Sequence, residues 1–546
     1  MLFRSGASGS NAEQMQNDKL TKLCAKLDVQ VLLRLEDSRL DDRWPQLIRV
    51  TASSHHTRAR LLCRVNDAAA IAAFLRNSGF EVSTSLDLDR AGMVAAIQSH
   101  TRTLAKRQCV GLFYFAGHGV QLGWRNYLLP VDCAIERLAD LPKTGVDLAL
   151  LVDGLRGAAN PMNVIVLDAC RDNPFAGELR EVQKGLSQMD APPRTFLAYA
   201  TSPGNTASDG EGTAGAYTEA LLKEMAIPGT KIEDVFKRVR LAVRRKTLGA
   251  QIPWESTSLE DDFYFIPPSN LALPTESQKE KDFLEQLASW ESVKLSATPD
   301  PLLDFLRRYP SGYYSELAQL QLDRVLAKLG EKRIEAAPAE GNPFTKGSAR
   351  LDTAYKVGDS YTYRRMDPES RSAMTTYTNI ITEVDGNRVV YDRGLVTDLL
   401  GNTQRMADGR TFTDHQNVPA EFEIGRQWLS RYWMEHKSGA KTFVESTLRV
   451  ESRETITVPA GTYNAFLVTG KGYTTFPNGD IGEGYSRVWW EPRAVRRMIA
   501  REEVRTVTRT RRRDPAQPQR SRRREPAPIV VSSTSERHEL VAFHQT

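Results

Sequence analysis

Between residues 65 and 266 the chain alternates two hydrophobic patterns. Continuous apolar runs, "VGLFYFA", "NVIVLDA" and "TFLAY", are separated by stretches with helical spacing. "NDAAAIAAFLRNSGF" carries Ala69, Ala72, Ala73 and Leu75 at near-helical intervals and ends on Asn77-Ser78-Gly79, a helix stop. "EVSTSLD" predicts a short strand and "RAGMVAAIQSHTRTLAK" a second helix, while residues 46–51 predict a short strand upstream. Strands that are apolar on both faces and alternate with helices predict a mostly parallel sheet covered on both sides. The double proline Pro267-Pro268 predicts the end of this unit.

Beyond it the pattern changes twice. Residues 276–330 have helical spacing, with Phe283, Leu284, Leu287 and Trp290 on one stripe. Leu302, Leu303, Phe305 and Leu306 precede the stop Tyr309-Pro310-Ser311-Gly312, and Leu317, Leu320, Leu322 and Leu326 follow it. This predicts a short helical hairpin comparable to one tetratricopeptide-like unit, with no second copy. From about Ala354 the period becomes two: "YKVGDSYTYRR", "NRVVYD", "STLRVESRETITVPAGTYNAFLVTG" and "YSRVWWEPRAVRRMIA" predict an antiparallel β domain, a barrel or a sandwich. The expected organisation is therefore an undefined segment 1–44, an α/β unit 45–268, a helical hairpin 276–330, a β domain 350–504 and an Arg/Pro-rich tail 505–546 that does not fold.

Length and charge adjust this outline. The chain has 546 residues, too many for one core, and is 40% hydrophobic, too apolar for a disordered protein. Its net charge of +5 is unevenly spread. Nine arginines against Asp514 and Glu525 lie between Arg505 and Glu525, so the remainder is close to neutral and does not read as a nucleic-acid-binding core. The Arg-rich end has three readings: a solvated terminus, a salt-sensitive contact with nucleic acid or anionic lipid, and a substrate for cleavage after arginine. Cys24, Cys63, Cys109, Cys133 and Cys170 include no C-x-x-C pair, which speaks for a reducing compartment and against a disulfide framework or a zinc knuckle. No apolar run reaches the ~18–20 residues of a membrane helix, and the first residues contain no apolar leader core. The expected location is the cytoplasm, with export as the alternative if the N-terminus is incomplete. P-loop, H-E-x-x-H, G-x-S-x-G and G-x-G-x-x-G patterns are absent.

Two apolar runs end in reactive residues. "VGLFYFA" leads into Gly117-His118-Gly119, and "NVIVLDA" leads into Cys170. Residues just past the carboxyl ends of parallel strands gather on one sheet edge, so neighbouring strands would bring His118 to Cys170. An imidazole beside a thiol is the minimum for a cysteine nucleophile: it takes the thiol proton and later protonates the leaving amine. The backbone N–H groups of Gly119 and Cys170 are candidates to hold the oxyanion. Taken singly, a cysteine after an apolar strand is more often packing and a histidine between glycines more often a turn. Cys109 and Cys133 are read as packing residues.

The segments "FYFAGHGVQLGWRNYLLPVD" and "VIVLDACRDNPF" resemble the bacterial caspase-like peptidases, the metacaspase side of the caspase clan. The His118-to-Cys170 separation fits the roughly 50-residue spacing of that clan. "VNDAAAIAAFLRNSGFEV", "TFLAYATSPGNTASDG" and "IEDVFKRVRLAVRRKTLGAQIPWESTSLEDDFYF" extend the likeness over about residues 65–266. The resemblance implies a caspase-hemoglobinase fold and a Cys170–His118 dyad in a cysteine endopeptidase. Asp168, two residues before the cysteine, follows the metacaspase pattern, where it lines the primary specificity pocket. That implies protein or peptide substrates with Arg or Lys at P1, which a carboxylate would pair with bidentately in the case of Arg. A structural role for Asp168, accepting from backbone N–H groups, is the alternative. Asp209, in the loop after "LAYATSPG", is the second pocket candidate. Arg180 and Lys184 are candidate self-processing sites.

One departure stands out. Where relatives begin with a strand like "ALVIGN-x-x-Y", this chain reads "PQLIRVTASSHHT" and lacks the Gly-Asn. That motivates the competing expectation of an inactive caspase-like scaffold, with protein partners bound through the hairpin or the β domain. No cofactor is expected. The resemblance admits Ca²⁺ dependence, but no ligand set can be assigned: His55-His56 and Asp261-Asp262 read as solvated. Trp489-Trp490 is expected to be core, with a ligand platform as the alternative.

Overall fold

The computed structural model describes residues 46–52, 58–135, 137–170, 185–205, 215–269, 275–334, 336, 341–370, 372–509 and 529–546. The first unit is one mixed sheet. Its strands are β1 (Gln46–Ala52), β2 (Glu81–Leu86), β3 (Val110–Leu122), β4 (Arg125–Leu128), β5 (Val146–Asp147), β6 (Asn163–Cys170), β7 (Thr195–Tyr199) and β8 (Trp254–Thr257). They run in the order β2-β1-β3-β6-β7-β8, with β4 and β5 continuing from the extended end of β3. The pairs from β2 to β7 are parallel and β8 closes the edge antiparallel. The strand expected at residues 46–51 is thus present and lies between β2 and β3.

Helices cover both faces, which explains the continuous apolar runs. Alternate residues of β3 serve opposite cores. Leu112 and Tyr114 pack with α1 (Arg58–Asn77), while Phe113 and Phe115 pack with α2 (Arg90–Arg107) and α3 (Ala149–Ala158). On the first face α4 (Ala216–Met225) and α5 (Ile232–Lys246) join α1. Local signals set the ends of α2. Asp89 accepts from the Gly92 N–H at 2.7 Å at its start, and Gln108 stops it in the left-handed region, its N–H returning to the Leu104 carbonyl. Cys109 and Cys133 are buried free thiols, as expected of packing residues.

The expected helical hairpin is instead three helices: α6 (Glu276–Val293), α7 (Pro299–Arg308) and α8 (Ser315–Lys328). Thr298-Pro299 starts the extra helix, with proline in the first turn, where its missing N–H costs no intrahelical bond. Of the predicted α6 stripe, Phe283 and Trp290 are buried, whereas Leu284 is 49% exposed. The helices do not stand alone. Phe283, Leu302, Phe305 and Leu322 share one core with Val418, Phe422, Phe466 and Trp490 of the β domain.

That β domain is a closed barrel of twelve strands among the described residues. The expectation of an unfolded end beginning at 505 is corrected here. Ala500–Arg509 and Ile529–His544 are both barrel strands, and the latter pairs with Ser360–Met366 to close the ring. Arg505 and Arg509 pair with Glu503 and Asp480 on their own sheet. Residues 510–528, which hold most of the arginines, lie outside the described residues, as do His55-His56.

One carboxylate joins the parts. Asp323 on α8 receives Arg244 of α5 at 2.5 Å, Arg333 at 2.5 Å and Arg350 at 2.6 Å, and Arg244 also reaches Glu331 at 2.7 Å. Burial alone would raise the Asp323 pKa, but the guanidinium groups of Arg333, Arg244 and Arg350 hold it down to about 2. Removing this acceptor leaves Arg333 and Arg350 without it and Arg244 with Glu331 alone, around a buried position. Asp323→Ala is expected to lower stability by about 3 kcal/mol, read as an earlier urea midpoint at pH 7. Because the folded pKa lies below the ordinary 3.8, the stabilisation is full above that value and is lost as pH falls through about 2. The variant and the wild type should therefore converge in strong acid.

Candidate active site

The pairing of β3 with β6 builds the site. The two strands run in step from Gly111 opposite Asn163 to Ala116 opposite Asp168. Between Ala116 and Gly119 the register slips, and Gly119 then sits opposite Cys170. The slip is a bulge of Gly117 and His118, a device that re-aims a side chain at the end of a ladder. It brings the backbone of the His118 segment beside the backbone of Cys170. β3 then turns out of the parallel sheet: Gly119 pairs with Leu128 of β4, and the Leu129 N–H donates to the His118 carbonyl at 3.0 Å. The imidazole is half-buried.

The two flanking glycines are required by space. A Cβ on Gly117 would lie 2.5 Å from the ring of Phe115, and one on Gly119 would lie 2.7 Å from Leu186 and 3.0 Å from the Ala169 carbonyl. Side chains there would push β3 away from β6 or flatten the bulge.

Asp168 is 4% exposed. Among the described residues its donors are side chains and not the backbone N–H groups of the alternative role. The Thr218 hydroxyl donates to Oδ2 at 2.9 Å and the Tyr114 hydroxyl to the same oxygen at 3.4 Å. The two hydroxyls are themselves 2.9 Å apart. Burial first, then the nearby carboxylates Asp168 and Asp67, push the Tyr114 phenol up, so it stays a protonated donor. Asp67, buried on α1, accepts from the Gly215 N–H at 3.0 Å and ties down the start of α4, the helix that carries Thr218. Sequence reading missed Tyr114, Thr218 and Asp67. The available signals were polar groups inside otherwise apolar elements: a tyrosine mid-strand, a threonine in "GAYTEALL" and an aspartate in "VNDAAAIAAF".

The frame around the site is also hydrogen-bonded. Asn126 exchanges two bonds with Ser187, 2.7 and 3.0 Å, fixing the chain that returns from residues 171–184. Those residues, with Arg180 and Lys184, lie outside the described part, as do Asp209 and the side chain of Cys170. No group of three or more metal-ligating side chains occurs among the described residues. Asp262 is paired with Lys231 at 2.8 Å.

The site is thus a histidine bulge abutting a cysteine at the next strand's end, on a mostly parallel sheet covered on both faces. The family of caspase domains, peptidase C14, matches residues 51–264, so the chain carries a caspase-like domain of a cysteine peptidase family. Among solved structures, the Drosophila initiator caspase Dronc is similar at 14% identity and a TM-score of 0.31, over 41% of this chain and 83% of that one. No curated protein matches the chain. No helix among the described residues is long and apolar enough to cross a membrane.

Replacing Thr218 by Val keeps the volume but removes the hydroxyl that caps Asp168. A buried carboxylate that loses such a donor costs about 1–3 kcal/mol. Thr218→Val should show this loss in urea unfolding, while Thr218→Ser stays near wild type.

Proposed function

We propose that the chain is a cysteine endopeptidase of the metacaspase-like group that cleaves after Arg or Lys. The observation that carries this reading is the register that sets Gly119 opposite Cys170 inside a caspase domain. In the proposed reaction His118 takes the Cys170 proton, and the thiolate attacks the scissile carbonyl. The backbone N–H groups of Gly119 and Cys170 stabilise the resulting oxyanion. As the C–N bond breaks, His118 passes its proton to the amine, leaving an acyl-thioester on Cys170. Water, deprotonated by His118, then releases the acid and restores the thiol.

Asp168 is the proposed P1 determinant. Both hydroxyls around it address Oδ2, and neither addresses Oδ1. A carboxylate held this way, at the end of the strand that carries the nucleophile, suits an Arg guanidinium or a Lys ammonium. No cofactor enters the scheme, and the proposed substrates include this chain's own Arg180 and Lys184. The competing scaffold reading arose from the altered first strand. β1 nonetheless pairs with both neighbours over Leu47–Ala52, which favours an intact sheet and hence the enzyme.

Hydrolysis of Arg- and Asp-terminated peptide reporters by the full chain tests the proposal. The Arg reporter should turn over, and Cys170→Ala should lower its kcat by about 10⁴-fold or more. Unchanged turnover in that variant would remove Cys170 as nucleophile. Asp168→Asn should cut kcat/KM for the Arg reporter by about 10–100-fold. A preference for Asp would sink the pocket assignment and leave the dyad standing. A Cys170 that reacts with thiol reagents no faster than a free thiol at neutral pH would favour the scaffold.

A further inference from the structure

The barrel contains a cavity of about 420 Å³ that no step of the proposed proteolysis uses. That is within the usual range for a small-molecule site, about 300–1,000 Å³. One wall is apolar: Val444, Leu448, Val468, Val488 and Trp490 line it. Gly484 leaves room on the same strands: a Cβ built there meets nothing within 4 Å. From Gly484 to Trp490 the strand covers about 20 Å at about 3.4 Å per residue. On the strand paired with it Arg501, Glu503 and Arg505 stand beside Val488, Ser486 and Gly484, and with Glu536 of the strand after that they neutralise one another in ion pairs of 3.2–3.5 Å.

Arg497 is different. Its half-buried guanidinium lines the same cavity, beside Gly401 and Trp490, and no carboxylate pairs with it among the described residues. Its guanidinium is hydrogen-bonded to the Tyr355 hydroxyl and, at a long 3.4 Å, to the Gly401 carbonyl, and it sits 5.7 Å over the Tyr391 ring. The Tyr391 hydroxyl is buried and has no hydrogen-bond partner among the described residues. The residue is also held firmly. The Tyr355 hydroxyl donates to the Arg496 carbonyl at 2.8 Å and the Tyr363 hydroxyl to the Met498 carbonyl at 2.9 Å, pinning the backbone on either side. A guanidinium removed from bulk water is costly unless an anion meets it. Here the backbone is fixed, the cation has no carboxylate partner among the described residues, and the apolar side chains of Val488 and Trp490 lie in the same cavity.

We propose that the barrel lumen binds an amphiphilic organic anion head-first, its carboxylate on Arg497 and its apolar body along the Val444–Trp490 wall. A planar fork of N–H donors suits a carboxylate bidentately, and burial strengthens the pair. The mutually neutralised charges on the neighbouring strands would contribute little to head-group affinity by comparison.

Isothermal titration of the full chain with dodecanoate, and with dodecanol as the neutral counterpart, decides the matter. Dodecanoate should bind once per chain and at least tenfold more tightly than dodecanol. Arg497→Met should weaken dodecanoate by about tenfold or more and leave dodecanol unweakened. Gly484→Phe, which places a ring in the lumen and leaves Arg497 untouched, should abolish binding of both. If Arg497→Met does not fold, Arg497→Lys takes its place, with a several-fold loss expected for dodecanoate alone. Absence of dodecanoate binding to the wild type would overturn the proposal. So would equal affinity for the alcohol, an Arg497 variant that binds dodecanoate as the wild type does, or undiminished binding in Gly484→Phe.

Discussion

The pairing of β3 with β6, and its slip at Gly117-His118, is the constraint around which the first unit is organised. In a parallel ladder a one-residue shift reverses which face a side chain occupies. The bulge uses this locally. It lets β3 serve two apolar cores up to Ala116 and then sets Gly119 beside Cys170. The same slip releases β3 from the parallel sheet into the β4 hairpin, whose Asn126 holds the chain returning from residues 171–184. The contacts at Gly117 and Gly119 leave no space for a Cβ, so the residue types around His118 follow from packing as much as from chemistry.

Asp168 shows how that sheet is tied to its helices. Its partners come from β3 and from α4, and α4 is anchored in turn by Asp67 on α1. A buried carboxylate is tolerated only with such donors, because each unmade bond costs about 1–3 kcal/mol. The arrangement accounts for a polar chain of Tyr114, Thr218 and Asp168 running through an otherwise apolar layer.

Beyond the sheet, the later elements are not separate appendages. Three helices and one side of the barrel bury a common core, and Asp323 gathers arginines from the sheet unit, the inter-unit chain and the start of the β domain. The barrel closes through a strand some 175 residues after its partner, a fraction of the chain's 546 residues that no local window spans. Closure removes the exposed edges that an open sheet would present and encloses the lumen.

The sequence by itself determined the periodicities, and through them the alternating α/β unit, the helical stretch and the β domain. It also marked His118, Cys170 and Asp168, because reactive residues at the ends of apolar runs stand out locally. It misjudged the helical hairpin, where Thr298-Pro299 opens a third helix, and the end of the chain, where arginine content hid the period-two pattern of "REEVRTVTR" and "IVVSSTSERHELVAFH". Only the tertiary structure decided the β3–β6 slip, the donors to Asp168, the arginines around Asp323 and the place of Arg497 among tyrosines at the lumen. Each of these joins residues far apart in the chain, and it is set by which surfaces can be buried together, information that short-range spacing does not carry.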